Sequence, residues 1–75
     1  MNDPRAEKVW FESEKMVVEL TDGRKLNIPV VYFPKLLQAT MQERENFILI
    51  GGGTGILWKD LDEEISVQEL VLGIG

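Results

Sequence analysis

Seventy-five residues make one small domain, and a chain with no cysteine and no histidine can build neither a disulfide nor the usual structural zinc site. A chain this short buries only roughly 60% of its unfolded surface, so its core must be dense or a partner must add to it; the 44% hydrophobic content supplies a core and argues against disorder. The formal charge of −5, with eight scattered Lys and Arg of which only Arg24 and Lys25 are adjacent, disfavours direct binding of nucleic acid.

Along the chain, residues 1–6 are polar, contain Pro4 and read as a loose leader. The remainder, residues 7–75, reads as a single α+β domain. The opening MNDPRAEK lacks the apolar centre of a secretory signal. No apolar run approaches the ~20 residues that span a bilayer. A cytoplasmic protein without membrane attachment is the expectation, and the missing cysteines agree with it.

Lys8 to Phe11 is apolar and aromatic and predicts a first strand, interrupted by Glu12, Ser13 and Glu14. Lys15 to Leu20 alternates, sending Met16, Val18 and Leu20 to one face and Lys15, Val17 and Glu19 to the other. Asp22-Gly23 predicts a tight turn, because glycine accepts a positive φ and Asp tolerates it. Arg24 to Ile28 alternates again and Pro29 ends it, giving a three-stranded antiparallel meander with one greasy face.

Pro34 suits a first helical turn, where its missing N–H costs nothing. Phe33, Leu36, Leu37 and Thr40 or Met41 then share a helical face, and the sheet is the natural surface for that face to cover. Thr40-Met41-Gln42-Glu43 has the pattern of a capping box and predicts a second short helical turn through Arg44 and Glu45. Phe47 to Ile50 and Ile56 to Trp58 read as a hairpin around Gly51-Gly52-Gly53-Thr54-Gly55. Ser66-Val67-Gln68-Glu69 reads as another capping box, opening a last helical turn with Val67, Leu70 and Val71. The expected order is βββ-α-ββ-α, an α+β antiparallel fold with one main helix packed on a sheet face.

The glycine run lacks the Lys-Ser or Lys-Thr that a phosphate loop needs, and a dinucleotide fingerprint would place its last glycine on Ile56. The acidic run from Asp60 to Glu64 would need a glycine at position six to resemble a calcium loop, and that position is Ile65. It reads as a solvated loop ahead of a helix N-terminus. With no histidine base and no cysteine nucleophile, and with Ser13 and Ser66 placed in a turn and a cap, no catalytic, cofactor-binding or metal-binding residues are assigned. Trp10 falls on the strand face opposite Val9 and Phe11, Tyr32 stands before the helix and Trp58 ends a strand; core or sheet-covering roles are the first reading for these aromatics, ahead of ligand stacking. Trp10, Val17 and Tyr32 on one exposed surface would make a partner patch. The candidate interaction surface comprises Trp10, Tyr32, Trp58, Asp60, Asp62, Glu63 and Glu64.

The stretches VELTDGRKLNIPVVYFPKLLQAT and QERENFILIGGGTGILWKDLDEEIS, closed by VQEL, make the line from Met16 to Leu70 resemble the family called domain of unknown function 2442. Similar sequences carry the same Asp-Gly-Arg turn, the Phe-Pro helix start, the tryptophan after the second hairpin and the acidic run ending in Ile-Ser, in this order. Here Glu64 replaces an Asp of that run and Leu57 stands where a histidine is common. The resemblance implies a small bacterial or phage α+β domain without an established activity. It also implies relatives joined to a helix-turn-helix, or encoded beside a second small protein in toxin–antitoxin-like pairs; no helix-turn-helix is expected after Leu70.

The leading expectation is a non-catalytic protein-interaction module without cofactor, the acidic partner of another protein or of its own copy, in which the Asp60–Glu64 charges would speed encounter. The alternatives are an antitoxin-like or regulatory accessory protein that reaches nucleic acid through a partner, and a small-ligand or divalent-metal-binding domain.

Overall fold

The computed structural model describes residues 3–73. Met1 and Asn2 of the expected leader lie outside the described residues. The first strand, β1, runs from Ala6 to Glu12, followed by β2 (Lys15–Leu20) and β3 (Lys25–Pro29). These form an antiparallel sheet in the order β1-β2-β3. Ala6, expected in the leader, is buried and paired with Leu20, while the carbonyl of Arg5 accepts from the Thr21 N–H at 2.9 Å. Alternation places Val9, Phe11, Met16, Val18, Leu26 and Ile28 on one face, as cross-strand partners that enter the core.

A 3-10 turn (Val30–Tyr32) leads into two short helices, α1 (Pro34–Leu37) and α2 (Met41–Glu45), where the sequence predicted one main helix and a following turn. The break has a local cause. Thr40 is extended (φ −71°, ψ 165°) so that its hydroxyl can accept from the Glu43 N–H at 3.1 Å while the Glu43 carboxylate accepts from the Thr40 N–H at 2.8 Å. The predicted capping box is present, and starting α2 there forces α1 to stop.

A second antiparallel sheet, in the order β4-β5-β6, follows from β4 (Ile48–Ile50), β5 (Gly55–Trp58) and β6 (Glu63–Ser66). The β4–β5 hairpin is as expected. Its loop carries three successive glycines at positive φ, and a Cβ on Gly53 would stand 2.6 Å from the Ala6 carbonyl oxygen, so β1 can approach only because no side chain is there. The acidic run expected as a loop is one only in part, since its last two residues open the sixth strand: Glu63 pairs with Trp58, Glu64 with Leu57 and Ile65 with Ile56. The helix α3 (Val67–Leu72) leaves β6 directly. Its predicted Ser66 cap is not formed; Ser66 is still paired with Gly55, and the Val67 N–H is taken by the Thr54 carbonyl at 2.9 Å.

One core joins both sheets. Met16, Val18, Leu20 and Ile28 from the first meet Ile56, Trp58 and Ile65 from the second, with Leu36, Val67 and Leu70 from the helices closing the space. The fold is therefore α+β, built on antiparallel sheets with helices packed into their common core.

Candidate interaction surface

Trp58 leaves the candidate interaction surface and takes the core role first expected of the aromatics. It is 0% exposed, donates its indole N–H to the Arg44 carbonyl at 2.8 Å, and tilts against Phe47 with ring centroids 6.0 Å apart. A tryptophan so placed is a core residue whose one polar atom has been satisfied. Trp10 is half-buried on the outer face of the first sheet, donating to the Glu12 carboxylate at 2.7 Å, with the Lys25 ammonium 5.8 Å from its ring centroid. Its cross-strand neighbour Val17 is buried and so contributes nothing to an exposed patch. Tyr32 is 53% exposed, beside Val31 at 62%.

The four acidic residues do not act as a unit. Asp60 accepts from the Asn46 side-chain amide at 2.7 Å, in a shallow recess shared with Gln42, Glu43 and Glu45. Asp62 sits in the left-handed conformation (φ 53°), and its backbone carbonyl accepts from the Lys35 ammonium at 2.7 Å. Glu63 and Glu64 alternate to opposite faces of β6, the outer strand of its sheet. Both border an open groove of about 420 Å³ with Phe33, Ile65, Leu70 and Leu72. Among the described residues no group of three or more Asp or Glu side chains is arranged to hold a metal ion.

Arg44 was read from the sequence only as part of a helical turn, yet it is the tie between four elements. It is 5% exposed. Its guanidinium donates to the carbonyls of Leu36 at 2.8 Å and Leu37 at 3.2 Å, closing the C-terminal end of α1. The same group lies 3.6 Å from the Glu14 carboxylate and 5.9 Å from the Phe11 ring centroid. A buried cation has to be paired in this way, and the planar fork of Arg allows it to serve two carbonyls and a carboxylate at once.

The exposed apolar residues are the surface that the sequence did not disclose. Besides Val31 and Tyr32 they include Leu37, Met41, Leu72 and two neighbours on β4, Ile48 at 47% and Leu49 at 36%. Ile48 and Leu49 point to opposite faces of a strand that has β5 on one side only. A continuous apolar run such as Phe47–Ile50 reads as buried, and nothing in one sequence distinguishes a central strand from an outer one.

Residues 6–75 match the family described as a protein of unknown function (DUF2442). The chain belongs to this family. The fold of this DUF2442 chain is similar to that in a crystal structure of a protein of unknown function from Rhodospirillum rubrum ATCC 11170, with a TM-score of 0.84 and 29% identity over 97% of this chain and 90% of that one. No curated protein matches the chain. Within this DUF2442 chain, the Asp-Gly-Arg turn, the Phe33-Pro34 helix start and Trp58 all have structural duties: a tight turn, the entry to α1 and the centre of the core. Among the described residues no helix is long and apolar enough to cross a membrane.

Proposed function

We propose that this chain is a non-catalytic protein-interaction module that presents surface to another polypeptide and transforms no substrate. The observation that carries the reading is the exposure of neighbouring apolar side chains on β4 and in the Val30–Tyr32 turn, in a molecule with a core that spans both sheets. Single exposed leucines are ordinary; adjacent ones on both faces of one strand are the type of surface a partner covers. The charge of −5 suits a basic partner by steering encounter, and the exposed Asp60, Asp62 and Glu64 are placed to contribute to that steering. The regulatory, antitoxin-like reading differs from this one only in what the partner does. A cytoplasmic setting goes with it, since a cysteine-free chain gains nothing from an oxidising compartment.

The test is stoichiometric complex formation by the purified full chain, with itself or with the product of a neighbouring gene, compared between wild type and a variant carrying Ile48→Lys and Tyr32→Lys. The expected result is a saturable complex that the double variant loses while remaining folded. A wild-type chain that forms no complex, or that turns over a substrate, contradicts the proposal.

A further inference from the structure

Among the described residues the two sheets end in four outer strands: β1, β3, β4 and β6. An outer strand offers unpaired N–H and C=O groups to any other strand, and proteins blunt it with charge, proline or a bulge. Three of the four are blunted. β1 carries Glu7, Lys8 and Glu12 and an irregular register between Ala6 and Lys8. β3 carries Lys25 and ends in Pro29. β6 opens with Glu63 and Glu64. β4 is Ile-Leu-Ile, with no charge, no proline and an even register against β5. Among the described residues, Ile48, Leu49 and Ile50 make no backbone hydrogen bond outside their sheet.

Charge indicates what covers it. Two copies of a chain with a charge of −5 repel overall, and that repulsion opposes a contact least where the local sequence carries no charge. From Asn46 to Trp58 there is no charged residue, between Glu45 on one side and Lys59 on the other, and β4 lies inside that run. A basic foreign partner would instead be drawn to the acidic faces.

We propose, on the interaction-module reading above, that the partner at β4 is a second copy of this chain: the two β4 strands pair antiparallel about a two-fold axis at Leu49 and merge two three-stranded sheets into one of six strands. Such a contact is self-complementary, so a single patch serves both copies. Centred on Leu49, the pairing sets Ile48 of one copy against Ile50 of the other, and it sets Glu45 against Gly53 of the other copy and away from its own counterpart. The strand is three residues long, so few hydrogen bonds form and the apolar side chains supply much of the contact. The dimer is accordingly weak and strengthens with salt, which screens the mutual repulsion.

Sedimentation velocity of the full chain, from about 5 µM to about 1 mM at low and at moderate salt, tests this. The wild type is expected to shift from monomer to dimer with concentration, more readily at moderate salt. Ile48→Lys is expected to weaken the dimer at least ~10-fold, and Met41→Lys, at an equally exposed site on α2, to leave it unchanged. The near-ultraviolet circular dichroism of the buried Trp58 reports whether each variant is folded, and Leu49→Lys repeats the test should Ile48→Lys disturb it. A wild type that stays monomeric throughout overturns the proposal and leaves the interaction module to be judged by complex formation with another protein. A dimer that survives both β4 substitutions, or that Met41→Lys removes, places the contact elsewhere and overturns the β4 pairing alone.

Discussion

Arg44 shows how one side chain can hold a small core together. Its guanidinium satisfies the carbonyls of Leu36 and Leu37, and its own carbonyl satisfies Trp58. Arg44→Ala removes the guanidinium's bonds to Leu36 and Leu37, leaving the Leu36 carbonyl with the Ala39 N–H at 3.2 Å, and opens space beside Phe11, so a loss of about 2 kcal/mol is expected in chemical denaturation. Arg44→Lys should recover only part of it, because one ammonium cannot reproduce the planar fork. Nothing in the sequence marks this role: an Arg after a capping box reads as a solvated helical residue, and only the chain's return past α1 buries it. Asp22 is the other residue with a defined electrostatic duty. The Arg24 backbone N–H, donating to it at 3.0 Å, and the Arg24 side chain, donating at 2.8 Å, hold its carboxyl below the ordinary value of 3.8. A carboxyl with a depressed folded-state pKa stabilises the fold above its unfolded-state value, and this contribution fades as pH falls through the folded one. Asp22→Asn should therefore cost a little stability at pH 7 and nothing well below the folded pKa, as measured by thermal unfolding at both. The effect is small because both partners are more than half exposed.

At the scale of elements, two sequences with the same capping pattern behave differently. Thr40 and Glu43 exchange both bonds of a capping box; Ser66 makes none, since the backbone of Thr54 already serves the Val67 N–H. Thr40→Ala is expected to cost about 1 kcal/mol, and Ser66→Ala to change stability by less than about 0.5 kcal/mol; equal losses in a denaturant titration would contradict the assignment. The first sheet was legible because Lys15–Leu20 and Lys25–Ile28 alternate strictly and an Asp-Gly turn separates them. β6 was not, because Glu63-Glu64-Ile65-Ser66 carries a single apolar residue and forms a strand only by pairing with β5. The split between α1 and α2 was half legible: the capping box was visible, but its consequence for the preceding helix was not drawn from spacing that also fits one continuous face.

At the scale of the whole molecule, the sequence placed the apolar residues in the right elements without showing which elements lie outermost. That is why Trp58, one of the candidate surface residues, fills the core, while Ile48 and Leu49, absent from that set, are exposed. The separation of Asp60 from Glu63 and Glu64 into different recesses is likewise a product of the turn at Lys59–Asp62 and the pleat of β6, neither of which the acidic run announces. What remains is a small acidic domain with a shared core and, among the described residues, three protected sheet edges and one unprotected. The measurement that bears most directly on this account is amide hydrogen exchange of the full chain at low and high concentration. The account predicts that protection rises with concentration at Ile48–Ile50, while β1, β3 and β6 exchange as before. Protection that does not change with concentration, or that appears on β6 and leaves β4 unaltered, would contradict it.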